Sequence, residues 1–366
     1  MSDADLVLAR DVPLAPLTTM GVGGPATMMA TVTSEVGLRR ALEHARDEGL
    51  ETFVLGAGSN LVVADRGLHA LVLRLELRGL HITREGSAAL VEVGAGEPWD
   101  AFVARAVSER LVGVECLSGI PGRVGATPIQ NVGAYGQEVS DTIESVTAVE
   151  RATGERVVFE AAALAFAYRD SFFKRAGRGR FIVTSVAFRL AQGETGRVRY
   201  GELSRALNAE SAPIAEIRER VIALRRAKSM VFDEVKLEAE NNRSAGSFFM
   251  NPIVDAALAD AVAARAGAAT MPRFPVAGDA SKVKLAAGWL IEQAGLVKGT
   301  ARGRVGLSTR HALAVVNRGG ATARELVDFA RMVQETVEDR LGVRIEVEPE
   351  LVGFDPAELD PLVRAG

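Results

Sequence analysis

The stretch GIPGRVGATPIQNVGAYG, residues 119–136, places five glycines in eighteen residues, a density that neither a helix interior nor a central strand tolerates. It must be a built loop. Glycines admit positive φ and carry no bulk, so successive backbone N–H groups can converge on a phosphate. Gln130, Asn131 and Tyr135, interleaved with them, suit hydrogen bonding to a ring system as well. A second glycine segment, GAGSN at 56–60, follows the strand-like TFVL. A dinucleotide is a reasonable guest for such loops. The GxGxxG fingerprint nevertheless fails, because Leu61 stands where the third glycine belongs and LVVAD reads as strand rather than helix. A tight turn is the alternative for GAGSN.

Around these loops the chain reads as α+β. The strand-like runs ATMMATV, LVVAD, ALVLRLEL and ALVEVGAG alternate with two helical stretches: SEVGLRRALEHARDEG, with Ser34 as its cap, and WDAFVARAVSERL. Three more strand runs, VTAVER, ERVVFE and RFIVTSVAFRL, fill 146–190. Pro213 opens the helix PIAEIRERVIALRRAK at a first-turn position, where its missing N–H costs nothing, and marks a domain boundary. Thr322 and Glu325 form a capping-box pattern ahead of a helix that Gly342 terminates. VRIEVEPELV then reads as a closing strand.

The 366 residues suffice for two or three domains, and a net charge of −4 with no Lys/Arg block leaves no nucleic-acid footprint. No apolar run reaches the length of a membrane span, and MSDADLVLAR lacks a signal peptide's basic start, so a cytoplasmic chain without membrane partners is expected. Cys116 is the only cysteine and the four histidines are scattered, so neither a disulfide nor a metal site is expected.

Four residues invite chemistry, each with a plainer alternative. Ile214, Ile217, Val221, Leu224 and Lys228 fall at steps of three and four, which aims the Lys228 ammonium along the buried stripe; a lysine snorkelling at a helix end fits equally. Glu350 shares strand parity with Arg344, Glu346 and Glu348, the pattern of a surface carboxylate, but Pro349 marks an edge or bulge that can re-aim it. Arg169, in YRDSFFK, is either a structural ion pair with its neighbour or a guanidinium for a carboxylate or developing enolate. Ser247, in SAGSFFMNP, is either a turn hydroxyl satisfied by backbone or an alcohol held where two phenylalanines exclude water. No GxSxG elbow surrounds it, which argues against a hydrolase.

GAGSNLVVADRG, GIPGRVGATPIQNVGAYG, YRDSFFK, SAGSFFMNP, AAGWLIEQAGLVKG, HALAVVN and EPELVGF occur in this order. Together they make the chain resemble the UDP-N-acetylenolpyruvoylglucosamine reductase (MurB) family, in its longer subtype, over nearly its whole length. The resemblance implies a two-part FAD-binding module of the vanillyl-alcohol-oxidase type with a C-terminal α+β substrate-binding domain. The expected division is 1–79 with 343–366, then 80–212, then 213–342. It implies an NADPH-dependent reduction of an enolpyruvyl UDP-sugar through FAD; a monomer is expected, although no feature of the sequence specifies the oligomeric state. Flavin contacts would fall on Gly56, Ala57, Gly58, Ser59, Asn60 and Leu61, and in the longer loop on Gly119, Ile120, Pro121, Gly122, Gly125, Ala126, Gln130, Asn131, Gly133, Ala134 and Tyr135.

By the same resemblance Ser247 is the proton donor, while Arg169 and Glu350 stabilise the enolate. For that a proton on Glu350 is needed, which burial would favour. Tyr200 of YGEL would close over the substrate, Lys228 would lie near a diphosphate or the nicotinamide nucleotide, and Asn251, Lys284 and Gln293 would line the substrate pocket. Met250 departs from a more frequent lysine or threonine, and LTTM from a commoner Asn-Thr pair. An FAD-dependent oxidase of the same fold and a non-catalytic nucleotide-sugar binder are the competing expectations.

Overall fold

The computed structural model describes residues 5–231, 241–276, 278–360 and 362. The chain forms two compact units, one of Met1–Val12, Ala26–Ala57 and His69–Ala227, the other of Pro13–Pro25, Gly58–Leu68 and Lys228–Gly366.

In the first unit a four-stranded sheet runs in the order Leu6–Pro13, Pro25–Val32, Leu68–Leu75, Glu51–Leu55. The helix Glu35–Asp47 begins where Ser34 Oγ accepts the Gly37 N–H at 3.0 Å. Its buried stripe of Leu38, Ala41, Leu42 and Ala45 packs with Met28, Ala30, Leu71 and Leu73. At about 1.5–3 kcal/mol for each large side chain fully buried, that stripe is what holds the helix in place.

A second sheet is built on Phe181–Gln192, which pairs antiparallel with both Ile143–Glu150 and Ala88–Gly94. Arg156–Glu160 and Leu80–Glu85 close its edges. The helix Trp99–Ser108 contributes Trp99 and Phe102, and Phe102 stacks on Phe188 at 4.8 Å to form the centre of this core.

The helix Ile214–Ala227 belongs to this first unit. The boundary expected at Pro213 therefore falls elsewhere, for a packing reason. Ile217 and Val221 are buried with Cys116, Val198 and Leu203, and Arg218 makes a bidentate pair with Asp100 at 2.6 and 2.8 Å. Pro213 itself ends the strand Ser211–Pro213 rather than opening the helix.

The second unit gathers around Phe248, Phe249 and Phe329. Its longest helix, Ala323–Leu341, starts at the capping box that the sequence promises, with Glu325 N–H donating to Thr322 Oγ1 at 3.1 Å and Thr322 N–H to Glu325 Oε2 at 2.8 Å. It ends at Gly342, φ +72. The expected continuous strand 343–352 is broken. Val343 and Ile345 alternate inward, Val347 makes a single bridge to Phe249, and only Glu350–Val352 forms a strand, parallel to Leu61–Val63. Pro349 has no N–H to carry a ladder across the gap. The end of the chain thus returns to its first third, and residues 343–352 group with the second unit.

Candidate functional site

In the first unit the two glycine loops meet. Gly56 follows the strand Glu51–Leu55 and is exposed. A Cβ built on it would find only the Ala126 methyl, 3.9 Å away, so protein packing does not demand this glycine and the space above it is open. The longer loop is pinned from behind. Gly125 N–H donates to Ala95 O at 3.0 Å, Val124 N–H to Glu97 O at 2.9 Å, and Gly122 O accepts the Trp99 N–H at 3.0 Å. At its start Gly119 N–H donates to Asp100 Oδ1 at 2.6 Å, while Gly119 O accepts from Arg225 Nε at 3.1 Å. Ile120, Pro121, Gly122 and Ala134 are half-buried and Ala126 is exposed along this loop.

Arg225 was not legible as a site residue. The helix buries Ile214, Ile217, Val221 and Arg225, steps of three, four and four, so its inward cation is Arg225, 8% exposed, and not Lys228. The run RRAK offers three cations, and one step in the periodicity decides which of them faces in. Burial pulls the Arg225 guanidinium's pKa down, opposed by the charges of Tyr135 and Asp100. Burial also pushes the Asp100 carboxyl up, but hydrogen bonds from Arg218 and Gly119, with the charges of Arg218 and Arg225, hold it below the usual carboxylate range. A buried guanidinium bonded to the start of a glycine-rich loop fits an anionic nucleotide.

Beyond Gly125 the loop turns toward Arg169. Gly133–Ala134 pairs antiparallel with Gln137–Glu138. Arg169 Nη2 donates to Gly133 O at 2.9 Å, and its guanidinium carbon lies 5.4 Å from the Tyr168 ring centre. Asp170 pairs with Arg175, at 3.1 Å. Asn131, Tyr135 and Arg169 all have left-handed backbone, φ +46, +49 and +54, a concentration of strain typical of working sites. Tyr135 meets Tyr200 edge to face at 5.7 Å. Burial pushes the Tyr135 hydroxyl up to about 12 and raises Tyr200 in the same sense. Tyr200 stands at the start of the helix Gly201–Leu207 and is 42% exposed.

In the second unit Gly58, Ser59, Asn60 and Leu61 lie beside the chain around Ser247 and Glu350. Thr19, buried and not singled out by the sequence, joins them: its N–H donates to Gly58 O at 3.0 Å and its hydroxyl to Ser244 O at 2.7 Å. Phe248 N–H donates to Leu313 O at 2.7 Å, Phe248 O accepts from Glu348 N–H at 2.9 Å, and Met250 N–H donates to Glu346 O at 2.8 Å. With both rings of Phe248 and Phe249 buried, the backbone carrying Ser247 is fixed on each side. The half-buried Ser247 hydroxyl makes no hydrogen bond to any described residue, so it is not the turn hydroxyl of the plainer reading. Glu350 N–H donates to Asn60 O at 3.0 Å, and Asn60 Nδ2 to Glu348 O at 3.3 Å. The Glu350 side chain itself is exposed, as strand parity required, and the burial expected to help it hold a proton is not there.

The other candidates separate. Lys228 is half-buried one residue past the helix end. Asn251 Oδ1 accepts the Ala287 N–H at 2.9 Å, capping the helix Ala287–Gln293, and Lys284 pairs in register with Ile253 two residues beyond it. Gln293 is exposed at the far end of that helix. Cys116, a conceivable covalent flavin tether in an oxidase, is 1% exposed and burial pushes its thiol up to about 12, which leaves no thiolate to react at neutral pH.

The open lip, the pinned glycine loop and the guanidinium behind it fit FAD, and residues 26–160 match the family model described as an FAD binding domain. The chain is a flavin-dependent oxidoreductase of α+β architecture with an FAD-binding domain. Residues 237–352 match the C-terminal domain of UDP-N-acetylenolpyruvoylglucosamine reductase. The chain is 46% identical over 354 residues to the reductase of that name from Thermobifida fusca, covering 94% of this chain and 98% of that one. It is 46% identical over 353 residues to the Streptomyces coelicolor reductase, covering 94% and 90%. The crystal structure of the Thermus caldophilus reductase (MurB) aligns with 94% of this chain and 99% of that one, at a TM-score of 0.64 and 29% identity. The chain belongs to the UDP-N-acetylenolpyruvoylglucosamine reductase family.

Proposed function

We propose that this chain catalyses the NADPH-dependent reduction of the enolpyruvyl group of UDP-N-acetylglucosamine enolpyruvate to UDP-N-acetylmuramate, a step of cell-wall precursor synthesis in the cytoplasm. The observation that carries the reading is the Ser247 hydroxyl, half-buried on pinned backbone and bonded to no described residue. Bound FAD would supply a hydride drawn from NADPH to the enolpyruvyl double bond. Gly56–Leu61 and the 119–136 loop are the segments that would hold it, with Arg225 bonded to Gly119 at the start of the longer loop.

Hydride addition to one alkene carbon leaves the electron pair on the other, next to the carboxylate, where it delocalises as an enolate. Arg169 stabilises that charge by its fixed positive charge, and Glu350 is assigned to the same enolate. Ser247 then gives its hydroxyl proton to the carbanion carbon and regains one from solvent. Serine is a weak acid, so protonation by it depends on this prior delocalisation. Tyr200, Lys228, Asn251, Lys284 and Gln293 are assigned to substrate or nucleotide binding.

Two variants probe these roles. Glu350→Gln should keep its flavin and lose about 10²–10³-fold in kcat, the usual cost of an electrostatic donor; normal turnover makes Glu350 a surface carboxylate. Tyr200→Phe should raise KM for the UDP-sugar by about two- to tenfold, the worth of one hydrogen bond, with kcat little changed. An unaltered KM removes Tyr200 from the binding set. The reading as a whole is checked with purified yellow protein. NADPH loss should require the added enolpyruvyl UDP-sugar, whereas loss sustained by oxygen alone points to an oxidase.

A further inference from the structure

Asn131 occupies a junction between the longer glycine loop and Arg169. It is 1% exposed, with φ +46, and its amide is engaged at both ends. Nδ2 donates to Glu138 Oε2 at 2.7 Å and to Ala167 O at 3.1 Å, while Oδ1 accepts the Ser140 N–H at 3.1 Å. The side chain therefore faces its own fold. Ala167 and Asp170 exchange backbone hydrogen bonds of 3.0 and 3.1 Å, closing a tight hairpin with Tyr168 and Arg169 at its tip. Arg169 Nη2 reaches back to Gly133 O, two residues beyond Asn131, at 2.9 Å. The hairpin is thus held at its base by Asn131 and near its tip by Gly133, both supplied by the same loop.

We propose that Asn131 is the positioning residue for Arg169, fixing where the guanidinium stands without itself touching substrate or flavin. Asparagine meets three requirements at once: a tolerance for left-handed backbone, two N–H donors for the Glu138 and Ala167 oxygens, and an acceptor for Ser140. Aspartate keeps the acceptor but loses both donors, and it would set a second carboxylate against Glu138. Glu138 cannot easily move away, because its carboxylate also accepts the Asp141 N–H in a reciprocal cap. The inference rests on the reading of Arg169 as an enolate-stabilising group.

The test uses the holoenzyme and measures its two half-reactions separately. Asn131→Gly keeps the backbone conformation and deletes the clamp; Asn131→Asp keeps the size and deletes the donors. Both should retain flavin and NADPH-driven flavin reduction within about twofold. Reoxidation by the UDP-sugar should slow by up to about 10²-fold, the scale of an ångström's misplacement of a charged group. In an Arg169→Ala background either change should add less than about threefold, because the two residues act as one unit. Full additivity with Arg169→Ala, or flavin loss in both Asn131 variants, overturns the proposal while leaving Arg169 in place. Normal reoxidation in Arg169→Ala alone overturns the enolate reading itself, and the positioning role with it.

Discussion

Ser247→Ala is expected to bind flavin and be reduced by NADPH at close to the normal rate, yet to form product about 10²–10⁴-fold more slowly, the range for removing a positioned general acid. The asymmetry follows from where the hydroxyl acts. It takes no part in loading electrons onto the enzyme, only in completing the reduced product. The structure also limits collateral damage. Phe248 and Phe249 stay buried, and the backbone bonds to Leu313, Glu346 and Glu348 do not involve the hydroxyl. Anaerobic stopped-flow absorbance of the flavin, followed in each direction, reads the two rates. If both fall together, Ser247 is structural and the proton comes from elsewhere.

The second large effect is on stability, and two glycines two residues apart divide it. Gly58 has φ +60, and a Cβ there would overlap the Leu17 carbonyl oxygen and press on the Thr18 Cα. Left-handed strain and overpacking together put Gly58→Ala at about 2–5 kcal/mol of destabilisation. Because Gly58 O holds the Thr19 N–H, and Thr19 in turn holds Ser244 O, the disturbance should also reach the Ser247 segment. Gly56→Ala meets only the Ala126 methyl and should leave the melting temperature nearly unchanged. Thermal unfolding of the two variants, with flavin released by acid and quantified, separates a glycine needed by the fold from one needed by the ligand. Equal stability losses in both would mean that the space above Gly56 is not open.

The elements that periodicity and capping determine were legible before the structure. Ser34 and the Thr322–Glu325 box start the helices they promised, and the strand runs before residue 192 form sheets. What escaped was set by long-range pairing. The closing strand broke because Pro349 cannot donate, and what decides its register is Leu61–Val63, almost three hundred positions earlier. Lys228 lost its inward place to Arg225 through a single step of helical phase, and local pattern cannot settle which of three adjacent cations faces in. Thr19, inside the LTTM stretch, was not singled out by the sequence, yet it ties Gly58 to Ser244. The glycine loops were found by composition alone. That Asn131 serves Arg169 was not, because a buried amide and an exposed one are spelled alike.

The account stands on which molecule takes the electrons, and a single turnover measures that directly. Wild-type enzyme reduced with one equivalent of NADPH under nitrogen is mixed with the enolpyruvyl UDP-sugar, and flavin absorbance is followed while product is counted. The account predicts full recovery of oxidised flavin with one saturated UDP-sugar formed per flavin. A flavin that stays reduced until oxygen is admitted, with no saturated product, would contradict it.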